Sequence, residues 1–557
     1  MNHDLSTHPR YRGQTLRRCT AAGAAMALCS AHAMELDSGN PDVSMRFDNT
    51  VKASAIYRLH DADPALTNSF NAQGAPQALN LNAGDQNFRN RGFVSERLDL
   101  LSEFDIVYQR NFGARVSGAA WYDRAYHGRS DAPNDPLNGQ NPSNAFPEYT
   151  QRIAGRKAEV LDAFVFGSTS LGGAGKLSAR LGQHTLLYGE SLFFGDNGIA
   201  AAQGPVDVNK LLSSPNAQFK EIAMPVPQLS TQWQIQPNLS LGGYLQFRWK
   251  ESRVPPAGSY FSTANVPWNA TGPEFVSIPA VAGPIAGNYV AQPGAPKEPS
   301  DSGQFGLQLK WRLDETDLGF YFARYHDKFG QLYTRLNPAQ PADSRWYYVF
   351  GDAIKVAGLS ASRSVGDYNV SGEASLRDNM PLVVNNAVYF GPDSATRPTL
   401  PTGRTAHLNF STLGSFGPNF IARESSLLAE IAWNRVLSKN DPQNEIDKGR
   451  TRDASILQAI YTPSYRQVTD GLDLSFPIGL RYTLAGRSSV TAWGPKGTGS
   501  ATLGMEGNYL NTWQFALTYT HYVGSTTPYN DYAQGQFGSG NPLADRNYVS
   551  LSVRRTF

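Results

Sequence analysis

The chain has 557 residues, of which 17% are charged and 40% hydrophobic, and its formal net charge is +2. Soluble domains carry about 25% charged and about 45–50% apolar residues, so this chain lacks ionic surface without an apolar excess to replace it. No segment approaches the about 18 consecutive apolar residues of a membrane-spanning helix, which excludes a helical membrane protein, and the weak charge gives no support to a nucleic-acid partner.

The first 33 residues have the three parts of an export signal. Four arginines precede a short apolar stretch at 21–28, and Ala31-His32-Ala33 fits an A-x-A cleavage site. We therefore predict a signal peptide at 1–33 that directs Sec-type export. Its removal takes away four arginines, one aspartate and the only cysteines, Cys19 and Cys29, and so changes the net charge to −1. No disulfide is then expected.

The remaining sequence alternates apolar and polar residues in segments of about 10 to 17 residues, longer than the about 5–6 residues of a typical soluble strand. In residues 43–59, Val43, Phe47 and Val51 share one face, while Arg46 and Lys52 lie on the other. The pattern predicts strands that meet an apolar medium on one face and water on the other. A soluble β-sandwich would show the same alternation.

The connections between these segments fall into two classes that alternate without exception. Eight are short turns, and nine are long, at 60–93, 129–154, 189–226, 251–302, 328–344, 378–403, 438–451, 487–498 and 525–545. Bacterial outer-membrane barrels have short periplasmic turns and longer extracellular loops. We therefore predict one domain, residues 34–557, that forms an antiparallel transmembrane β-barrel of about 18 strands with both ends in the periplasm.

The last strand ends on Phe557, after Val549, Leu551 and Val553 on one face. A terminal aromatic on an amphipathic strand is similar to the signal read by the barrel assembly machinery, and predicts the outer membrane of a Gram-negative bacterium. A soluble protein ending by chance on Phe is the alternative. Aromatic residues at 244–249, 346–350 and 513–522 are interpreted as an interfacial girdle at strand ends.

The third long connection carries the most distinctive motifs. They are Gly-Glu-Ser at 189–191, Gly-Pro-Val-Asp at 204–207, Pro-Asn-Ala-Gln at 215–218 with Lys-Glu at 220–221, and Met-Pro-Val-Pro at 224–227, with further echoes at 352–358, 377–382 and 545–552. This order resembles the proteobacterial outer-membrane family catalogued as domain of unknown function 1302. The chain departs from the family pattern at Gly204, Asn216 and Gln218.

The resemblance implies a large barrel linked to hydrophobic compounds. Members are often encoded beside a periplasmic lipid-carrier-like protein and an inner-membrane exporter of the resistance-nodulation-division class, which are candidate partners. The resemblance supplies neither a substrate nor catalytic residues.

Residues 189–226 mix large apolar side chains with charges. Leu192, Phe193, Phe194, Leu211, Leu212 and Phe219 would be left in water on a mobile loop tip. If the segment folds into the barrel, they are buried, and the segment constricts or plugs an otherwise aqueous channel. An ordered loop that caps the mouth is the alternative. The candidate plug or gate residues are Glu190, Asp196, Asp207, Lys210, Lys220 and Glu221.

Charged residues on the predicted inward faces are candidates for lining the lumen and setting selectivity. They are Asp99, Glu103 and Asp105 on the second strand, Lys310 and Arg312 on the eighth, Glu373 and Arg377 on the eleventh, and Glu430 on the thirteenth. Alternatively, these charges only solvate a wide pore and pair with one another.

Motifs for other chemistry are missing. No Gly-x-Ser-x-Gly elbow occurs, the six histidines after residue 33 are scattered, and residues 172–176 lack the Ser or Thr of a phosphate loop. The acidic stretch 441–447 does not fit a calcium loop. We expect no enzyme activity, cofactor or metal.

The first hypothesis is a passive outer-membrane channel for a small hydrophobic or amphipathic compound, with lipid around it and energy supplied elsewhere. The alternatives are a general or carboxylate-selective porin, a structural or adhesion barrel of the envelope, and a barrel enzyme acting on lipid.

Overall fold

The computed structural model describes residues 34–67, 83–132, 144–263, 274–278, 287–383, 387–390, 400–440, 446–527, 530–531 and 536–557. The predicted signal peptide and most of the acidic stretch 441–447 lie outside these residues. None of the helices formed by the described residues has the length and apolarity needed to cross a membrane.

Eighteen antiparallel strands make up the barrel, and the short strand Met34–Leu36 adds to the same sheet by pairing with the first of them. They are β1 (Val43–Arg58), β2 (Gly92–Tyr108), β3 (Phe112–Asp123), β4 (Arg156–Ser170), β5 (Lys176–His184), β6 (Val226–Gln236), β7 (Leu239–Gln246), β8 (Gln304–Leu313), β9 (Thr316–Tyr325), β10 (Ile354–Val365), β11 (Tyr368–Pro381), β12 (Thr402–Phe416), β13 (Glu424–Lys439), β14 (Asp453–Thr469), β15 (Leu472–Ser475, continued by Ile478–Ala485), β16 (Gly499–Tyr509), β17 (Trp513–Val523) and β18 (Tyr548–Thr556).

The sheet closes because the last strand pairs with the first. Thr556 of β18 lies opposite Thr50 of β1, and Tyr548 lies opposite Arg58. Phe557 continues this ladder, since its backbone N–H donates to the carbonyl of Asn49 over 2.8 Å. Closure leaves no open edge between these two strands, and the predicted barrel of 18 antiparallel strands is confirmed.

The alternation in the sequence arises from the pleat of each strand, which sends successive side chains to opposite faces. In β2, Leu98 and Leu100 point outward and are exposed, whereas Arg97 and Glu103 point inward and are buried. The outward face thus presents the apolar surface that lipid accepts, and the inward face carries charge. The apolar residues on the outer face of these strands can therefore contact lipid and need no second protein layer to cover them.

Short turns connect neighbouring strands at one end of the barrel. The turn between β8 and β9 places Asp314 at φ 53°, a left-handed conformation that Asp tolerates better than most residues. The turn between β4 and β5 ends on Gly175 at φ 91°, where the position of a Cβ atom would collide with the carbonyl of Gln234.

The long connections at the other end contain most of the remaining regular structure. The helical segments are Pro64–Thr67, Ala83–Asn87, Arg124–His127, Glu148–Thr150, Gln151–Gly155, Gly172–Ala174 in a short turn, Ile199–Ala202, Val208–Ser213, Phe219–Ile222 and Pro341–Asp343, and the further strands are Met34–Leu36, Glu274–Ile278, Gly287–Pro293, Gln331–Leu336, Arg345–Val349, Ala387–Phe390, Asn530–Asp531 and Gln536–Phe537.

Five of these strands form a second sheet beside the barrel mouth, and this sheet corrects part of the aromatic-girdle prediction. Trp346 is buried in a cluster with Tyr348 and Phe350, against which Trp249 packs. Tyr244 faces the lumen, where it contacts Tyr188. These aromatics were expected at a lipid interface, but packing between loops and onto the inserted connection buries them instead. Because Arg345–Val349 belongs to this second sheet, the fifth long connection, predicted at 328–344, continues to the start of β10 at Ile354.

A buried ionic cluster ties the long connections together. Arg58 and Arg546, both without exposed side-chain surface, converge on the carboxylate of Asp85, and Arg58 also pairs with Asp545 over 2.6 Å. Arg546 donates to the backbone carbonyl of Ser262 over 2.7 Å. The first, fourth and ninth long connections are thereby held together above the lumen.

Candidate functional site: the inserted segment and the lumen cavity

The connection between β5 and β6, residues 185–225, is called here the inserted segment. It contains a 3-10 turn at Ile199–Ala202 and short helices at Val208–Ser213 and Phe219–Ile222. Asp207 caps the first of these helices by accepting from the N–H of Lys210 over 2.7 Å. Local sequence thus forms the short helices, while inward-facing side chains of the wall position the segment.

The first wall contact is the carboxylate of Glu430 on β13. It accepts from the hydroxyl of Ser191 and from the backbone N–H groups of Leu192, Phe193 and Phe194, the last over 3.0 Å. A carboxylate that accepts several N–H groups satisfies donors that would otherwise be buried without partners. Glu430 therefore fixes the backbone of residues 191–194 against the wall.

Two further charged residues of β11 hold the next turn of the segment. Glu373 accepts from the N–H of Glu190 over 2.8 Å and from that of Ile199. Arg377 donates to the carbonyls of Asp196, Asn197 and Gly198. One face of the turn presents N–H groups to a carboxylate, and the other presents carbonyls to a guanidinium.

Asn197 lies at the centre of a polar network with the wall. Its amide nitrogen donates to Asn409 Oδ1 over 2.8 Å, and its amide oxygen accepts from Asn434 over 3.0 Å. The same oxygen lies 2.9 Å from Nδ1 of His407. All four side chains are buried, so each depends on the others for its hydrogen bonds.

The later part of the inserted segment contacts β1, β2 and β18. Lys52 of β1 donates to the hydroxyl of Ser214 over 2.7 Å and pairs with Glu221 over 3.1 Å. Lys220 pairs with Glu103 of β2, and Arg554 of β18 lies 3.9 Å from Glu221. The segment is thus attached to two separate regions of the barrel wall.

A third contact involves the fourth long connection. Arg253 pairs with Asp207 of the inserted segment and with Glu159 of β4, the latter over 2.7 Å. Burial lowers the pKa of Arg253, but the two carboxylates raise it more, so the net pKa is raised. Lys210 lies over the ring of Trp121 at 4.5 Å, and burial lowers its pKa.

The other predicted lumen charges pair locally. Asp99 accepts from Arg97 over 2.7 Å, Asp105 lies 3.6 Å from Arg115, and Arg312 lies 3.8 Å from Asp317 near a turn. Lys310 lies 3.5 Å from Glu190 of the inserted segment. The structure therefore brings Glu103, Lys310, Glu373, Arg377 and Glu430 to the segment, whereas Asp99, Asp105 and Arg312 pair only with wall residues.

A cavity of about 1560 Å³ lies between the inserted segment and the wall. It is larger than the about 300–1,000 Å³ of typical small-molecule sites. Its lining includes apolar residues of the segment and of β14, β15 and the long connections, with Asp196, Arg377 and Arg481 among the charges. Burial raises the pKa of Asp196.

The burial expected for the apolar residues of the inserted segment is wrong for half of them. Phe194 is completely buried beside Trp493, but Leu192, Leu211 and Phe219 keep 43%, 54% and 59% of their surface exposed. These three side chains line the cavity. The segment is anchored by polar and ionic contacts, which leaves much of its apolar surface facing the cavity.

Sequence reasoning placed Lys52 on the polar face of its strand without assigning it a contact, and it did not single out Asn197, His407, Asn409 or Asn434. Four of them lie at inward positions of strands, and the period-two pattern that identified Glu430 places them on the same face. Their uncharged or isolated character gave no chemical signal. Within the described ranges, no three His, Cys, Asp or Glu side chains gather as metal ligands.

A family profile described as "Protein of unknown function (DUF1302)" matches residues 15–557. Comparison with curated proteins gives no match. Among solved structures, OccAB1 of Acinetobacter baumannii shares 9% identity at a TM-score of 0.42, with 95% of this chain and 99% of that chain covered. The outer membrane channel DcaP of the same organism shares 10% identity at a TM-score of 0.35, with 95% of this chain and 100% of that chain covered. The outer membrane protein opdK of Pseudomonas aeruginosa shares 11% identity at a TM-score of 0.39, with 92% of this chain and 98% of that chain covered.

Proposed function

Because the chain belongs to the family described as protein of unknown function DUF1302, whose description assigns no activity, we propose a function from the lumen itself. The protein is an outer-membrane channel that passes a small hydrophobic or amphipathic compound. The observation that carries this proposal is the set of exposed apolar side chains, Leu192, Leu211 and Phe219, which line the cavity on a segment held by inward-facing residues of the wall.

The energetic argument concerns apolar surface left in contact with water. Full burial of a Leu or Phe side chain stabilises a protein by roughly 1.5–3 kcal/mol. The inserted segment forgoes much of this stabilisation at three positions, although its backbone is fixed to the wall. Hydrophilic channels gain nothing from such a surface, whereas an apolar solute passing through the cavity would contact it.

The charged residues of the wall support a constricted channel in preference to an open pore, because they hold the inserted segment. The inserted segment is attached to β11–β13 by Glu373, Arg377 and Glu430 and to β1, β2 and β18 by ion pairs. A segment held at both ends narrows the lumen without depending on its own hydrophobic burial. We propose that it forms the constriction at which the compound is selected.

A barrel of this kind has no energy source of its own. Delivery or removal of an apolar compound across the aqueous periplasm then requires a soluble carrier, and the family resemblance makes a periplasmic lipid-carrier-like protein and an inner-membrane exporter the candidate partners. Capture of such a carrier by the detergent-extracted barrel, and its loss when the periplasmic turns are substituted, would support this part of the proposal.

The central experiment measures solute flux in proteoliposomes. With the efflux from protein-free liposomes subtracted, we expect efflux of a short-chain alkanol tracer to exceed that of a sugar of similar mass, and Leu192→Asn together with Leu211→Asn to reduce this protein-dependent alkanol flux severalfold. Leu510→Asn is the matched control, because Leu510 is 59% exposed in a short turn and its φ of 52° suits Asn.

Equal passage of sugars and alkanols, unchanged by the two cavity substitutions, would instead support a general porin. Rapid passage of short carboxylates alone would support a carboxylate-selective porin. Absence of all flux, with the barrel correctly folded, would favour a structural or adhesion role.

A further inference from the structure

We infer that the cavity has a polar pole at Arg481 that binds an oxygen-acceptor head group, carboxylate or hydroxyl, of an elongated amphipathic molecule. The tail of this molecule would lie along Leu192, Leu211 and Phe219. This inference rests on the proposed function and specifies the class of compound that the cavity recognises.

Arg481 projects into the cavity from β15, next to its strand partner Gln458 on β14. Its guanidinium donates one hydrogen bond, to Oε1 of Gln458 over 3.2 Å, and lies 5.0 Å from the ring of Phe194. A guanidinium carries five N–H donors. Among the described residues Arg481 forms no salt bridge, so most of its hydrogen-bonding capacity faces the cavity.

A second donor close to Arg481 also lacks an acceptor. The indole N–H of Trp493, which packs on the same Phe194 ring, is buried and has no acceptor among the described residues. Glu430 is close enough to influence Arg481, but its oxygens already accept from Ser191, Asn409 and residues 192–194. A ligand that supplied an oxygen acceptor would complement this excess of donors.

The charge of the cavity lining points in the same direction. Its basic residues outnumber its acidic ones, since Lys328, Arg377, Arg450, Arg481 and Arg487 line it together with Asp196 and Asp327. Asp196 reaches Arg481 electrostatically without forming an ion pair with it. A cationic head group would meet this basic lining unfavourably, whereas a carboxylate or hydroxyl would not.

The cavity also has a large apolar lining. Leu66, Leu212, Phe261 and Leu543 line it together with Leu211 and Phe219. Leu192 and Phe193 also line the cavity, and they directly precede Phe194, whose ring lies 5.0 Å from the guanidinium of Arg481. The lining therefore combines a large apolar surface with the hydrogen-bond donors of Arg481, which fits a molecule with an apolar tail and a polar end.

The test uses three molecules with the same tail and different head groups. The full barrel is placed in nanodiscs, tritium-labelled decanol serves as tracer, and decanoate and decylammonium compete with it, with empty nanodiscs subtracted. In the wild-type protein we expect decanoate to compete better than decylammonium. Arg481→Gln should weaken decanoate by about 10-fold or more, since hydrogen bonds to charged groups are the strong ones, and decanol by less.

Two variants keep the result interpretable. Arg363→Gln removes an exposed arginine that pairs with Glu315 near a short turn, and should change no competition curve. Arg481→Lys keeps the positive charge but not the planar fork, and should retain part of the preference for decanoate over decylammonium. Heat-modifiable migration on gels shows whether each barrel is folded.

The inference is overturned if decylammonium competes best, or if Arg481→Gln and Arg481→Lys both leave decanoate competition unchanged. Even then, the proposed channel function would stand if Leu192→Asn abolished decanol binding while Arg481→Gln left it unchanged. No saturable decanol binding in the wild-type protein would contradict the proposed function itself.

Discussion

The carboxylate of Glu430 accepts a 3.0 Å hydrogen bond from the backbone N–H of Phe194, a residue 236 positions away in the sequence. This contact joins the middle of a barrel strand to the beginning of the inserted segment. Because the neighbouring N–H groups of Leu192 and Phe193 converge on the same carboxylate, one wall residue positions the backbone of residues 192–194.

Glu430→Gln should therefore release the start of the inserted segment. The oxygen of the amide can still accept from residues 192–194, but its NH2 group then faces the amide N–H of Asn409, so that hydrogen bond is lost, and the remaining bonds weaken because they no longer end on a charged group. We expect single-channel conductance to rise at least about twofold, and protease cleavage within the segment to accelerate. Glu424→Gln on the same strand, an exposed partner of Arg466, is the control. Identical conductance for the two variants would show that Glu430 does not hold the constriction.

Leu211→Cys should place a reactive thiol in the cavity. The chain has no cysteine beyond residue 29, and the Leu211 side chain is 54% exposed, so a small thiol reagent should label this position. Decanol should slow labelling of Leu211→Cys severalfold but leave Leu510→Cys unaffected. Protection at both positions, or at neither, would contradict the assignment of the cavity as the binding site.

Asp327 and Lys328 should make stability depend on pH at the base of the fifth long connection. Burial raises the pKa of Asp327 from 3.8 to about 6, and burial lowers the pKa of Lys328 from 10.5 to about 8. A carboxyl whose pKa is higher in the folded state contributes stability that is fully present below the unfolded pKa of 3.8 and is lost as pH rises through about 6.

Asp327→Asn should remove that dependence, because the amide keeps an acceptor for the N–H of Phe329, which the carboxylate now binds over 3.0 Å. The thermal midpoint of the variant should exceed that of the wild-type protein at pH 7.5 and match it more closely at pH 4.5. Asp352→Asn, an exposed neighbour, should behave like the wild type at both values. A variant that is less stable at pH 7.5 would show that the ionised carboxylate is stabilising.

Asp85→Asn should loosen the long connections above the lumen. The substitution leaves Arg58 and Arg546 buried with less negative charge, and breaking a buried ion pair in this way costs about 3–5 kcal/mol. We expect faster proteolysis of the long connections on intact cells while the barrel remains heat-modifiable. Asp352→Asn is again the control. Unchanged proteolysis would mean that the aromatic cluster around Tyr126 and Tyr260 holds these connections without the ions.

The sequence by itself determined the wall of this protein. The 18 strands follow from period-two alternation, since the pleat exposes every second residue to the outer face, and their antiparallel order follows from the alternation of short and long connections. The inward positions of Glu373, Arg377 and Glu430 follow from the same period. These properties depend on residues that are near one another in the chain.

Only the tertiary structure decided what the inward residues hold and which apolar side chains remain exposed. Glu430 meets Phe194, and Lys52 meets Glu221, because the closed barrel brings distant strands and the inserted segment together, and no local pattern encodes such pairs. Trp346 and Tyr244 are residue types that are common at membrane interfaces, but contacts with residues distant in the sequence bury them. Leu211 could have been buried or exposed, and it faces the cavity because the ionic contacts of its neighbours fix the segment's position.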